Sequence, residues 1–447
     1  MNSVLRYSLL ALAVMLCTVS ASATKPDGRE PHRGRLIPYP SAELAKERKL
    51  ERQRFMQPVE LVSTADDVYL GEFTFPFSWL ERQVMVRVEG VGSPYELFVN
   101  GKRAGGATNG HAATEFNITK LSREDRNRVE LRLADVRDVA AIECFDKAVC
   151  PTLYVISQPR VRVRDIFYRT NIANGGIVNV DFGVVMQNLT LGAKSSRLEY
   201  ELYLNDTTRL SGGRLDVELG MYGVDTMRFG APAPDSVLWS AQSPQRISLR
   251  LINRIAGREA EVYDMPVALR EMSFDDEGIV VNGERLSSEW LRMSPLSTIE
   301  HIEQAYQEGK RQIRFSAGVP SEQVLEWCDA NGVYVALTAP INSSSAGVSR
   351  RKGGNPSNDP KWRKEYMERV VQMIHTTKRH PSVVAYYLAD DSANGIALYE
   401  AYLAEEYGNG FKVGHNYDSL DRETSRSYNG TTKFYWTYNA DGNLARY

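Results

Sequence analysis

The sequence predicts a multidomain fold, mainly β and then α/β, made of a jelly-roll-like sandwich, an immunoglobulin-like sandwich and an incomplete (β/α) barrel. Two successive stretches, which begin near Val62 and Arg160, consist of short runs that alternate apolar and polar residues between Gly, Pro and Asn turns. This period of two is typical of antiparallel sandwiches. After Asn282-Gly283 helical and strand-like runs alternate, which indicates parallel pairing. The 447 residues have room for about three such domains.

The first residues have the pattern of a secretory signal, because Arg6 precedes the apolar run LLALAVMLCTV and small residues suited to cleavage follow it. We predict a signal peptide over 1–23 and export to the periplasm, the cell surface or the extracellular space. Cys17 offers a lipid anchor as an alternative, which the large residue before it disfavours. Residues 24–59 are charged and helix-prone without a broad apolar stripe, so we expect an arm that lies over the first domain.

The two sandwiches are predicted at 60–159 and 160–270. In the first, runs such as VYLGEFTFPF and RQVMVRVEGV are separated by polar turns. In the second, runs such as IVNVDFGVVMQNL and QRISLRLINR repeat the pattern at the spacing of an immunoglobulin-like domain.

The last region, 271–447, is predicted to be a truncated (β/α) barrel-like domain with a C-terminal tail. Ser297 and Glu300 have the spacing of a capping box at the start of a helix, and Ser321 can cap the next one. Strands are expected near 312–316, 333–338 and 383–389. In such barrels functional residues stand at the carboxyl ends of the strands.

The charge balance is nearly even, with 54 Lys and Arg against 56 Asp and Glu and a formal charge of −2. We therefore expect no nucleic-acid partner, since such proteins carry strong basic patches. Beyond the N-terminal run, no apolar stretch reaches the roughly 20 residues of a membrane span. The six histidines form no metal-binding pattern with acids or cysteines, and no cofactor is expected.

Cys144 and Cys150 are the two ends of the short segment CFDKAVC, a spacing that allows a local disulfide in an exported chain. Cys328 lies among apolar residues of the helical run SEQVLEWCDANG. We therefore interpret Cys328 as a buried thiol rather than a nucleophile.

Several segments, in the same order as the predicted domains, resemble the family 2 glycoside hydrolases, the β-galactosidase and β-glucuronidase group. In the first domain FTFPFSW, VRVEGVGSPYELFVNGKRAGG and TEFNITKL are similar to that family's sugar-binding-type jelly roll. VALREMSFDDEGIVVNGERL is similar to its approach to the barrel, and HPSVV precedes its acid-bearing strand. The resemblance runs from about Gly71 to Gly395.

The resemblance also implies where the active site would lie. The family places Asn-Glu after the strand that follows HPS, with the glutamate as general acid/base, whereas this chain has Asp390 and Asp391. Asp391 is therefore the degenerate acid/base position, and Asp390 and Arg314 are candidate substrate-binding residues. Aspartate withdraws its carboxyl by one methylene, about 1.5 Å of reach, and a shift near 1 Å already costs about a hundredfold in rate.

Other polar residues of the family pattern are absent from this chain. No histidine follows Asn282-Gly283 in ERLSSEWLRMSPL, and IRFSAGVP keeps Arg314, Ser316 and Pro320 of an Arg, Ser, His, Pro pattern without its histidine. From Leu296 onward there are about 150 residues, against roughly 250 in a complete barrel, so we expect no strand that bears the family's nucleophilic glutamate.

Two features have competing interpretations. Asp391 and Ser392 can cap the helix predicted in ANGIALYEAYLAEEY, hydrogen bond to a ligand, or retain acid/base function. In the tail, Phe434, Trp436 and Tyr438 share one face of a predicted strand. These rings either cover the incomplete barrel or form a platform on which sugars stack.

Three functional hypotheses follow. The chain is a non-catalytic structural or assembly subunit of the cell envelope, a non-catalytic carbohydrate-binding subunit, or an active β-glycosidase with a shortened barrel. The partner is accordingly an envelope protein or a carbohydrate. A second carboxylate near Asp391 would favour the third hypothesis, since retaining glycosidases use two carboxyls about 5 to 5.5 Å apart.

Overall fold

The protein is represented by a computed structural model, and sandwiches and a parallel sheet dominate its described part. That part comprises residues 28–48, 54–64, 67–134, 142, 151–173, 176–275, 278–343, 346–347, 354–390, 392, 413–417, 423–428, 431–435, 437–438 and 444–446.

The first unit is a sandwich of two antiparallel sheets with strand orders β1-β9-β4-β7 and β2-β3-β8-β5-β6. Its inward-facing residues alternate along the strands, and Trp79 and Phe116 are fully buried between the sheets. The Asn100-Gly101 turn between β5 and β6 has positive φ at both residues, as a tight hairpin requires. The strands are β1 Met56–Val59, β2 Val62–Ser63, β3 Val68–Phe75, β4 Gln83–Glu89, β5 Tyr95–Val99, β6 Lys102–Ala107, β7 Thr114–Asn117, β8 Asp125–Leu133 and β9 Thr152–Gln158.

The second unit is a seven-stranded sandwich with sheet orders β10-β11-β14 and β13-β12-β15-β16. All pairings within these two sheets are antiparallel. The apolar sides of the two sheets form a separate core around Phe182, Leu202 and Leu251. The strands are β10 Val161–Ala173, β11 Ile177–Asn188, β12 Lys194–Leu204, β13 Thr208–Leu219, β14 Val224–Pro234, β15 Ile247–Ile255 and β16 Arg258–Pro266.

A small antiparallel sheet leads into the third unit, whose parallel sheet has the order β20-β21-β22-β23. Its helices are α2 Ile299–Gln307, α3 Glu322–Asn331 and α4 Arg363–Thr377, and α1 Ala42–Glu47 belongs to the N-terminal arm. The strands are β17 Met272–Asp275, β18 Gly278–Val281, β19 Glu284–Arg285, β20 Leu291–Met293, β21 Gln312–Phe315, β22 Tyr334–Thr338 and β23 Val383–Tyr387.

The predicted fold class is confirmed, since two sandwiches precede a parallel α/β unit and the described residues form no closed barrel. The expected strands near 312–316, 333–338 and 383–389 are β21, β22 and β23. Strand β20 was missed, because three residues are too few to show a period.

The capping prediction for the first barrel helix was wrong by one residue. Thr298, not Ser297, is the N-cap, and the third helical residue is His301, not Glu300. The backbone N–H of Thr298 donates to His301 Nδ1 at 3.1 Å, which satisfies a donor at the helix start. Ser321 caps α3 as predicted, since its side chain accepts from the Val324 N–H.

The N-terminal arm contacts all three units, whereas we expected it to lie over the first domain. Arg33 pairs with Glu115 of the first sandwich, and Tyr39 forms an antiparallel bridge with Val262 of the second. His32 lies 2.9 Å from the Glu368 carboxylate of α4. The arm therefore joins the three units instead of lying over the first alone.

The described part of the tail contains five short strands, with the sheet order β24-β25-β26 and the separate pair β27-β28. The strand predicted around Phe434 is divided in two, because Phe434 lies in β26 and Tyr438 in β27. Trp436 lies outside the described residues, so the role of these rings stays a prediction. The tail strands are β24 Val413–Tyr417, β25 Glu423–Tyr428, β26 Thr431–Tyr435, β27 Thr437–Tyr438 and β28 Leu444–Arg446.

Candidate functional site

The candidate site lies at the carboxyl ends of the four parallel strands. On β21, Ile313 and Phe315 are fully buried in the core beneath the helices. Because side chains alternate along a strand, Arg314 projects from the opposite face. Arg292 of β20 is directly opposite Arg314 in the ladder, so two guanidinium-bearing side chains start side by side.

Asp390 brings these two arginines together. It follows the end of β23 by three residues, and its backbone N–H donates to the Ile341 carbonyl at 3.0 Å. Its Oδ1 lies 2.5 Å from Arg292 Nη2 and 3.5 Å from Arg314 Nη2. The Asp390 side chain is 14% exposed, whereas that of Arg292 is 58% exposed. One partly buried carboxylate therefore pairs with two guanidinium groups, of which that of Arg292 faces solvent.

Neighbouring strands hold Arg314 from two further sides. Its Nε donates to Thr338 Oγ1 at 3.3 Å, and its guanidinium stacks 3.7 Å from the centroid of the Tyr387 ring. Thr338 and Tyr387 are register partners in β22 and β23, which places both beside Arg314. Arg314, Thr338 and Tyr387 form a polar surface that can donate and accept hydrogen bonds. The Arg314 guanidinium covers one face of the Tyr387 ring.

Of the three predicted site residues, the structure brings Asp390 and Arg314 together. Asp391 lies outside the described residues, and its role stays a prediction. Ser392 Oγ lies 2.8 Å from Ser343 Oγ and 3.2 Å from the Tyr366 hydroxyl. The helix that Asp391 and Ser392 were predicted to cap also lies outside the described residues, so the capping interpretation is untested.

The segment HPS before β23 has a structural role at the opposite end of the sheet. His380 is fully buried, and its Nδ1 lies 2.7 Å from Asp329 Oδ2 of α3. The Ser382 hydroxyl donates to Asp329 Oδ1 at 2.6 Å, and the Trp239 indole N–H donates to the Asp329 carbonyl. These bonds anchor the start of β23 to α3 and to the second sandwich.

Sequence reasoning missed Arg292, Thr338 and Tyr387. Arg292 lies on the three-residue strand that was not predicted, so nothing indicated where its side chain would point. Thr338 and Tyr387 lie at strand ends that were predicted, and the rule that functional residues stand at such ends could have found them.

Cys328 is fully buried, as predicted, in the core between α3 and the sheet. Burial raises the pKa of its thiol well above the usual value, and the neighbouring Asp329 adds to this effect. Such a thiol is a poor nucleophile, because the thiolate is the reactive form. Cys144 and Cys150 lie outside the described residues, and their disulfide stays a prediction.

Within the described ranges, no group of three or more His, Cys, Asp or Glu side chains is placed to hold a metal ion. The same ranges contain no helix long and apolar enough to cross a membrane.

Two sandwiches followed by a parallel α/β unit, with a cluster of polar residues at the strand ends, define the class of architecture to which the chain belongs. Two family models match the chain: the glycosyl hydrolases family 2 sugar binding domain over residues 55–154 and the family's TIM barrel domain over residues 307–409. The chain belongs to glycosyl hydrolase family 2. The second match includes Arg314 and Asp390, and Arg292 lies outside both.

Similar proteins include two enzymes named β-galactosidase. That of Priestia megaterium is 21% identical over 80% of this chain and 37% of the relative. That of Psychromonas ingrahamii is 25% identical over 73% of this chain and 33% of the relative. The chain thus spans between a third and two fifths of these relatives' length.

Solved structures share the fold at low identity. A β-glucuronidase from Bacteroides uniformis has a TM-score of 0.62 and 19% identity, with 75% of this chain and 43% of that one covered. A putative β-galactosidase from Bacteroides fragilis has a TM-score of 0.60 and 17% identity, with 74% and 52% covered.

Proposed function

We propose that this family 2 protein is exported and acts without catalysis, as a carbohydrate-binding subunit or as a structural or assembly subunit of the cell envelope. The observation that carries the proposal is the ion-paired state of Asp390. By the resemblance, this residue stands at the asparagine of the family's Asn-Glu pair. Here its carboxylate pairs with Arg292 and Arg314.

The substitution at the next position supports the same proposal. Asp391 stands where the family has its acid/base glutamate, and the shorter side chain withdraws the carboxyl by about 1.5 Å, which costs roughly a hundredfold in rate or more. The strand ends still offer exposed hydrogen-bond donors, since Arg292 is 58% exposed. Binding of a hydroxylated ligand is thus better supported than bond cleavage.

The edges of the parallel sheet, as the described residues leave them, favour the assembly role. Within the described part of the chain, this sheet ends at β20 on one side and β23 on the other. Unpaired strand edges invite further pairing, which a partner protein could satisfy. Purification from the native envelope, followed by identification of what accompanies the protein, tests this role.

Hydrolysis assays with aryl β-galactosides and aryl β-glucuronides test whether catalysis is lost. We expect turnover at background for the full chain and for the Asp391→Ala variant. Turnover that disappears in Asp391→Ala would instead support the alternative, an active β-glycosidase. The Asp391→Glu variant serves as the matched comparison, because it restores the family's side chain without a change in charge.

A further inference from the structure

One end of the second sandwich carries a compact group of exposed apolar side chains. Two loops meet there, residues 189–193 between β11 and β12 and residues 220–223 between β13 and β14, and both cross from one sheet to the other. Of the eight large apolar side chains that are exposed within the described ranges, four lie on these loops or directly after them: Leu191, Met221, Tyr222 and Val224. We call these four residues the loop patch.

The side chain of Asn188 holds the two loops together. It is fully buried, and its Nδ2 donates to the carbonyls of Gly192 and Gly220 at 2.8 Å each. Its Oδ1 accepts from the Thr190 N–H at 2.9 Å, and the Tyr222 N–H donates to the Thr190 carbonyl at 3.3 Å. The loop patch therefore rests on a hydrogen-bonded support, and its exposure is a property of the folded protein.

The two loops are uncharged, and charged residues of both signs border them. The loop sequences LTLGA and GMYG contain no Asp, Glu, Lys, Arg or His. Arg160 and Lys194 lie next to the first loop and are exposed, and the Arg160 carbonyl accepts from the Leu189 N–H at 2.8 Å. Glu218 and Asp225, also exposed, precede and follow the second loop. The apolar patch is thus surrounded by a rim whose charges balance.

A lipid bilayer surface fits the loop patch better than a second protein chain does. Exposed apolar patches mark either kind of partner, but stable protein–protein interfaces use about 20–30 residues a side, far more than this patch offers. Two adjoining loop tips at the end of a sandwich are also convex, so they form no groove for another chain. Tyr222 suits the membrane–water boundary, because its ring is apolar and its hydroxyl is polar.

We propose that the loop patch inserts into the surface of a lipid bilayer and attaches the protein to it peripherally. The Leu191 side chain enters the acyl boundary, and the Tyr222 hydroxyl stays among the headgroups. Because the rim is neutral, burial of apolar surface drives the attachment, which is therefore insensitive to salt. The proposal does not depend on whether the strand-end cluster of Asp390, Arg292 and Arg314 binds a ligand or is catalytic.

Co-sedimentation of the full chain with phosphatidylcholine vesicles, with and without phosphatidylglycerol and at low and high NaCl concentration, tests the proposal. We expect binding to both kinds of vesicle that salt changes by less than about twofold. The double variant Leu191→Ser/Met221→Ser should lower the partition coefficient about tenfold or more, since it removes the apolar area that is buried. Phe77→Ser/Ile177→Ser is the matched control, because Phe77 lies on the first sandwich and Ile177 begins β11 at the other end of the second.

A fluorescence measurement locates the attachment independently. Brominated phosphatidylcholine should quench the Tyr222→Trp variant more than the natural chain, because the added indole lies at the membrane surface. Equal quenching of the two proteins would overturn the proposal.

Other outcomes would also overturn it. Binding that Leu191→Ser/Met221→Ser retains would assign the attachment to another segment, such as the apolar run at the N-terminus. Binding that requires phosphatidylglycerol and disappears in NaCl would make it electrostatic. A dimer in analytical ultracentrifugation that the double variant abolishes, without vesicle binding, would assign the loop patch to a second copy. A thermal shift measurement on each variant confirms that the folded state is retained.

Discussion

At the scale of single residues, Asp390 organises the strand-end cluster, because it is the one described carboxylate that meets both Arg292 and Arg314. Arg314 is 19% exposed and is additionally held by Thr338 and Tyr387, so its position is well determined. Arg292 depends more on Asp390, since its side chain is mostly in solvent. Loss of the Asp390 charge should therefore release Arg292 first.

The Asp390→Asn variant should lower the free energy of unfolding by about 1–2 kcal/mol, because charge-assisted hydrogen bonds in a partly buried site are lost. Asp216→Asn is the control, since the Arg197–Asp216 pair is 47% and 79% exposed and should contribute less than about 1 kcal/mol. Urea unfolding measures both changes. Equal effects of the two substitutions would show that the Asp390 cluster adds nothing beyond a surface pair.

At the scale of elements, helix α1 is held on the second sandwich by ion pairs at its C-terminal end. Arg48, the C-cap of α1, has positive φ and donates to both Asp206 and Asp264. The hydrogen bonds from Arg48 are the main cause that lowers the pKa of Asp206 to about 2. The arm helix is therefore bound most firmly when Asp206 is ionised.

The stabilisation from Asp206 should depend on pH in a defined direction. A carboxyl whose folded pKa is depressed stabilises the fold above its unfolded pKa, and this contribution disappears as the pH falls through the folded value. The difference in urea midpoint between the natural chain and Asp206→Asn should thus be constant above about pH 5 and shrink from about pH 4 towards pH 2. Arg48→Gln should reproduce this profile, and a pH-independent difference would contradict the assignment.

At the scale of the whole molecule, the arm connects three units that have separate cores. Arg33 is buried, and its Nε lies 2.7 Å from Glu115 Oε2, while Arg87 binds the other Glu115 oxygen at 3.1 Å. Burial opposes the charge of Glu115, but Arg33 and Arg87 hold the pKa of its carboxyl below the usual value. Removal of one cation would leave a buried charge only partly compensated.

The Arg33→Met variant should lower the free energy of unfolding by about 3 kcal/mol. This value is at the low end of the range for a broken buried ion pair, because Arg87 still pairs with Glu115. The loss should appear as a lower urea midpoint for the full chain. Arg126→Met is the matched control, since the Arg126–Glu72 pair is 76% and 57% exposed. If the Arg33 and Arg126 variants unfold at the same urea concentration, the arm does not stabilise the first sandwich through this pair.

Much of the fold was predictable because its signals are local. Alternation of apolar and polar residues marked both sandwiches, and turns such as Asn100-Gly101 and Asn282-Gly283 have the positive φ that their sequence suggested. Ser321 caps α3 and Cys328 is buried, as their neighbours in the sequence predicted. Strand β20 was missed because its pattern is too short. The N-cap of α2 was placed one residue too early, at Ser297 instead of Thr298.

The sequence by itself determined the class of each unit and the position of Asp390 and Arg314 near strand ends, and it predicts that two aspartates stand where the family has Asn-Glu. It did so because strand periodicity and motif order are properties of neighbouring residues. Only the tertiary structure decided that Arg292 shares the Asp390 carboxylate, that the arm reaches all three units, and that two loops of the second sandwich form one exposed apolar patch. These features join residues up to hundreds of positions apart, and such contacts depend on how the sheets and helices pack.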